Sequence, residues 1–205
     1  NFTEAWKGCN DASFTSFPAV TFSTHADDDI TFASAWRDCD KLTSFPSVNL
    51  SRGTSFNQTW KECAALTSFP ALDLSNSTNM IYSWYACTNL ATWNTCTFST
   101  DPSDNIDFEG AWYSCTSLTS IPSDVNLSRG TGFRWTWYNT GLLSFPALDM
   151  SASLQCYATW YACDEMVSWG ACDVTACQLF SHAWTACTAL TTFPAGVFDD
   201  WAPTS

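Results

Sequence analysis

One unit recurs along the whole chain: an aromatic residue, Trp four residues on, Cys three after that, then Leu-Thr-Ser-Phe-Pro. The clearest copies are Phe32–Trp36–Cys39–Leu42–Phe45–Pro46 and Phe56–Trp60–Cys63–Leu66–Phe69–Pro70. The Trp column reads Trp6, Trp36, Trp60, Trp84, Trp112, Trp137, Trp160 and Trp184, in steps of about 24 residues that lengthen where loops are inserted. A unit of this length cannot bury its apolar face alone, so copies must stack into a solenoid. The 205 residues make one domain of about eight rungs. At roughly 4.8 Å per stacked strand the stack is on the order of 40 Å long. Such a pattern decides architecture, says little about activity, and argues against a conventional enzyme.

Within a rung, Phe-x-x-x-Trp-x-x-Cys places apolar residues at i, i+4 and i+7, one face of a short helix. Leu-Thr-Ser-Phe then reads as a short strand, ended by Pro, which cannot donate to the next rung. Ala71-Leu72-Asp73-Leu74 alternates as a second extended segment, and Ser51-Arg52-Gly53-Thr54 closes a turn. The expectation is an α/β solenoid, each rung a short helix plus short parallel strands.

The motif Cys-x-x-Leu-x-x-Phe-Pro, with an aromatic residue three before the Cys, resembles the BspA-like leucine-rich repeats of bacterial surface proteins. Trp here occupies the place where that class usually has Phe. Trp-rich copies with Leu-Thr-Ser-Phe-Pro, and an ending like Phe193-Pro194-Ala195-Gly196-Val197-Phe198-Asp199, also resemble repeats of marine phage and microbial surface proteins. The resemblance spans nearly the whole chain. It implies an LRR-type stack and surface display, adhesion or a structural role, and it supplies no catalytic residues.

Hydrophobic content of 46% and aromatic content of 16% suffice for a packed interior. Seven Lys and Arg against 20 Asp and Glu give a net charge of -13, which repels nucleic acid and anionic membranes. No apolar run is long enough to span a bilayer. Asn1 lies beside the first rung's Phe2 with no leader before it, so the chain reads as mature, trimmed or part of a longer protein. Eleven cysteines suggest an oxidising, extracellular setting. Sequons at Asn1, Asn49, Asn57, Asn76 and Asn126 point the same way, toward N-linked glycans on turns.

A second period overlies the first. Val48-Asn49-Leu50-Ser51-Arg52-Gly53-Thr54 returns as Val125-Asn126-Leu127-Ser128-Arg129-Gly130-Thr131, and Pro70-Ala71-Leu72-Asp73-Leu74 as Pro146-Ala147-Leu148-Asp149-Met150. These copies lie about 76 residues apart, or three rungs. Duplication of a three-rung block and presentation of one surface every third rung both account for this. Read from end to start, Thr204-Ser205-Asn1-Phe2-Thr3-Glu4-Ala5-Trp6 makes a well-formed rung junction, like Gly53–Trp60. Compatible ends predict head-to-tail stacking of copies, or a longer tandem chain.

Seven cysteines share one column: Cys9, Cys39, Cys63, Cys87, Cys115, Cys163 and Cys187. Cys96, Cys156, Cys172 and Cys177 lie off it. Bridges between rungs (Cys9–Cys39, Cys63–Cys87), bridges within rungs (Cys87–Cys96, Cys163–Cys172) and a buried free-thiol ladder are all open. His25 and His182 have no nucleophile at motif spacing, so no catalytic residue is assigned. Two acidic loops, Asp27-Asp28-Asp29 and Asp101 to Asp107 with Asp104 between, hold carboxylates of a type that suits Ca²⁺, at a spacing that is no EF-hand. Trp135 and Trp201 lie off the Trp column and are the candidates for surface contact with a protein or sugar. No other cofactor is expected. These readings converge on an extracellular, glycosylated subunit of a surface filament joined end to end. The alternative is an adhesin or phage-fibre module that recognises a host glycan or protein.

Overall fold

The computed structural model describes residues 1–199 and shows a right-through stack of rungs with no α-helix among them. The expected helix is instead a flat pair of tight turns. In the third rung, Thr59 N–H donates to Phe56 O at 3.2 Å and Cys63 N–H to Trp60 O at 3.2 Å. Gln58 and Glu62, two residues into each turn, have φ of +55° and +62°. Every rung repeats this pair of positive φ values, mostly on non-glycine residues. Phe56, Thr59, Trp60 and Cys63 are buried, while Asn57, Gln58, Lys61 and Glu62 face outward.

That inward set, i, i+3, i+4 and i+7, is also the apolar stripe of a helix. The hydrogen bonds separate the two. A helix spends each interior N–H on its own carbonyls. Here alternate N–H groups leave the rung: Phe56 donates to Asn79 O, Gln58 to Ile81 O, Trp60 to Ser83 O and Glu62 to Tyr85 O, at 2.7–2.9 Å. Each left-handed residue costs about 1 kcal/mol. Stacking offsets that cost, because it binds the turns of neighbouring rungs together along their full width.

The strands are β1 (Ile30–Thr31), β2 (Gly53–Ser55), β3 (Ser68–Phe69), β4 (Thr92–Trp93), β5 (Ile106–Asp107), β6 (Gly130–Gly132), β7 (Ser144–Phe145) and β8 (Ser168–Trp169). They pair in parallel as β1–β2, β3–β4, β5–β6 and β7–β8, each partner one rung on. Isolated bridges such as Ser16↔Ser44, Ser44↔Ser68 and Ser168↔Thr192 extend the same line. The pairing Ser68↔Thr92 recurs as Ser144↔Ser168, so the three-rung period is a backbone feature as well as a sequence one.

Inside, Trp36, Trp60, Trp84, Trp112, Trp137 and Trp160 form one buried ladder with ring centroids 5.1–5.9 Å apart and planes within 12°. Each indole meets a strand-side ring edge-to-face, as with Trp60 and Phe69 at 4.7 Å and 73°, or Trp112 and Trp93 at 5.0 Å and 90°. The buried indole N–H groups have no oxygen or nitrogen acceptor. The faces of those crossed rings are the acceptors left to them. In the rungs of Trp60, Trp84 and Trp160, two side-chain donors serve the preceding rung's carbonyls. Thr59 and Ser83 hydroxyls bond Phe32 O and Phe56 O. Cys63, Cys87 and Cys115 thiols bond Trp36 O, Trp60 O and Trp84 O at 3.0–3.1 Å. The Cys column thus packs as small apolar groups that also donate.

Candidate functional site

Two surfaces stand out: an aromatic face along one side, and the faces of the first and last rungs. The residue after each column Trp points outward and reads Lys7, Arg37, Lys61, Tyr85, Tyr113, Tyr138, Tyr161, Thr185. The four tyrosines stack at 4.7, 4.5 and 4.8 Å with planes within 13°. Beside them runs the first positive-φ column, which alternates large and small: Tyr82, Gly110, Trp135, Ala158, His182.

The gaps form two grooves that share Trp135 and Tyr138. One of ≈ 540 Å³ is lined by Lys61, Tyr82, Tyr85, Tyr113, Trp135 and Tyr138. The other, ≈ 380 Å³, runs on past Tyr157 and Tyr161 to His182. Gly110 is required here: its φ is +57°, and a Cβ would lie 2.3 Å from the Tyr82 ring that leans over it.

The charges on this face are held within the protein. Lys61 Nζ sits 4.6 Å above the Tyr85 ring and 3.7 Å from Glu62. Arg134 lies over Trp135 at 4.8 Å and lines a small cavity with Asp107 and Glu109. Tyr82 donates to Glu109 at 2.9 Å, and burial, then Glu109, pushes its phenol up to about 12. Burial, then the neighbouring phenols, raises Tyr113.

At the first rung, the carbonyls of Thr3, Ala5 and Lys7 accept no hydrogen bond from the described residues, while their counterparts Ala33, Ala35 and Arg37 accept from Glu4, Trp6 and Gly8. At the last rung, the N–H groups of His182, Trp184 and Ala186 donate to none of the described residues, while Ala158, Trp160 and Ala162 one rung earlier donate to Ser181, Ala183 and Thr185. The two sets are the two halves of one repeating ladder. Phe2, Trp6 and Cys9 at one end, and Trp184 and Cys187 at the other, are only half-buried, unlike the rest of their columns.

Of the residues singled out from the sequence, Trp135 does turn outward and separates the two grooves. Trp201 lies outside the described residues. The tyrosine ladder lies outside the burial pattern that marks the Trp column, so apolar periodicity does not reveal it; Tyr directly after the column Trp in four successive rungs is its signal in the sequence.

The acidic residues proposed for calcium do not gather at one point in this structure. Among the described residues no three carboxylate, Cys or His groups are placed to hold a metal. The loop oxygens that a cation would take are already held: Arg129 bonds Pro102 O and Asp104 O, and Arg52 bonds Ala26 O and Asp28 O. Asp104 accepts from Ser99 and Asp101 from Ser103, and Asp28 accepts from Ser23, while Asp27 and Asp29 stay exposed near His25 and Arg52. Asp107 is not in the loop at all; it lies on β5 and accepts from Glu109 N–H.

All eleven cysteines are thiols in this structure. Thiol–thiol contacts join Cys39 to Cys63 and Cys163 to Cys187 between neighbouring rungs, and Cys156 to Cys177 off the column. Cys96 and Cys172 instead reach Pro70 O and Pro146 O on the strand side. Asn49 and Asn126 sit exposed in matching turns, each side chain accepting from the Ser N–H two residues on. Asn1 and Asn76 are exposed and Asn57 is half-buried.

No family model matches this chain, and no curated protein does. Among solved structures it is similar to the leucine-rich repeat protein of T. pallidum, at 17% identity and a TM-score of 0.47, over 84% of this chain and 78% of that one. A likeness so distant adds no argument; the repeat architecture rests on the stacked rungs and their parallel pairs.

Proposed function

We propose that this chain is a structural solenoid unit that assembles end to end into an extracellular surface filament. The observation that carries the reading is the match between the open carbonyls of Thr3, Ala5 and Lys7 and the open N–H groups of His182, Trp184 and Ala186. A further rung of any origin seated on either face needs that register, and a second copy of this solenoid has it. Seating one also covers Phe2, Trp6 and Trp184. The contact joins two different faces, so it extends without closing on itself. N-linked glycans at the exposed Asn49 and Asn126 turns would leave both end faces clear.

The test is electron microscopy of the purified chain beside Ala5→Arg. Ala5 sits in the small-residue column that continues as Ala35, Thr59 and Ser83, and stacking would bury it. Filaments with an axial repeat of about 40 Å in the wild type, and single rods in Ala5→Arg, are expected. Single rods in both would overturn the proposal.

A further inference from the structure

The aromatic face plays no part in end-to-end stacking, and its chemistry calls for an occupant of its own. We infer that the two grooves bind a linear, neutral saccharide lying along the solenoid axis, with Trp135 at its centre.

A cationic ligand would seek aromatic faces, but Lys61 and Arg134 already lie over Tyr85 and Trp135 and would repel it. An anionic ligand would meet a chain of net charge -13, with Lys61 paired to Glu62 and Arg134 sharing a small cavity with the carboxylates of Asp107 and Glu109. A peptide adding itself as a strand needs free backbone groups. On this face the N–H groups of Tyr82, Gly110, Trp135 and Ala158 are all spent on the next rung.

What the grooves offer instead is ring surface interleaved with hydroxyls. Tyr85, Tyr113, Tyr138 and Tyr161 stack face to face, so their edges and phenols line one wall. Tyr82 stands across that wall at 89° to Tyr85, and Trp135 stands at 77° to Tyr157. A sugar ring has the matching pair of surfaces: an apolar C–H face for the crossed rings, and a hydroxyl rim that both donates to and accepts from phenols. Because the grooves meet at Trp135 and Tyr138, a chain of sugars fits better than a single unit.

Calorimetric titration with linear β-1,4-linked oligomers of glucose and of N-acetylglucosamine, of increasing length, tests this. It is run on the wild type and on Ala5→Arg, so that failure of assembly and failure of binding are told apart. Binding by at least one series, strengthening with length and weakened about tenfold or more by Trp135→Ala with melting unchanged, is expected. Tyr138→Phe, which keeps the ring and loses the hydroxyl, should weaken it less. No binding by either series, equal binding by Trp135→Ala, or preference for a sulfated oligomer or a Pro-rich peptide would overturn the inference.

Discussion

Replacing alanine by glycine in the outward turns should stabilise this protein, the reverse of the usual result. Ala86 and Ala162 occupy the second positive-φ position of their rungs, at +56° and +57°. Each is half-buried and points away from the core. An L-residue held there costs about 1–2 kcal/mol, which glycine escapes. Glycine's greater freedom in the unfolded chain returns about 0.4–1 kcal/mol of that. The net gain is about 0.5 kcal/mol per site, or about 1 kcal/mol for Ala86→Gly with Ala162→Gly, which raises Tm by about 2–4 °C in a chain of this size. Were these segments helical, each change would cost about 1 kcal/mol and Tm would drop instead. Ala35→Gly and Ala111→Gly are the controls: both are fully buried and absent from the positive-φ set, so both should lower Tm. Differential scanning calorimetry of the double variant decides the matter, and a lowered Tm would refute the turn geometry on which the fold description rests.

Gly170→Ala would place a Cβ 2.3 Å from Ala147 N and 2.5 Å from Pro146 C, and Gly141→Ala one 2.3 Å from Thr116 O; backbone cannot give way, so each should cost about 2 kcal/mol or more in urea titrations. Burial lifts the thiols of Cys87, Cys96 and Cys172 to about 12 from a usual 9.0. The unfolded chain therefore loses these protons first: stability is fully present below pH 9 and should fall as pH rises from 9 through 12, measured by denaturation at stepped pH under reducing conditions. Calcium and EDTA should leave Tm unchanged, whereas Arg129→Ala, which strips the loop carbonyls of Pro102 and Asp104 of their donor, should cost about 1–2 kcal/mol.

The stack, its rung boundaries, the buried Trp and Cys columns and the three-rung period were all legible, because burial repeats with the residues that cause it. The turn geometry was not. Phe56, Thr59, Trp60 and Cys63 lie inward under either a helix or a turn pair, and what separates the two is the sign of φ at Gln58 and Glu62. Residues such as Gln, Glu, Tyr and Ala give no warning of a left-handed backbone. Gly, Asp or Asn in those two columns (Gly8, Asp38, Gly110, Asn139) is the hint, and it appears in only half of the rungs. The partners of the acidic loops were hidden for another reason. Their carboxylates were visible, but Arg129 and Arg52 act from the next rung, at a distance in sequence that no local motif reveals. Trp135 was legible as an outward residue; the groove around it depended on Gly110 and Ala158 being small beside it, which matters only once rungs are stacked.

The turns also give the molecule an electrical polarity. In every rung their axial N–H groups point toward the next rung and their carbonyls back toward the previous one. Aligned peptide dipoles add along the stack, with the negative end at the first rung and the positive end at the last, opposite in sense to an α-helix. The outward column follows this: its cations Lys7, Arg37 and Lys61 occupy the first three rungs, and neutral side chains occupy the other five. Two such solenoids brought first rung to last would present opposite partial charges at the joint, against the repulsion of two chains of net charge -13, so salt that screens that repulsion would help them meet.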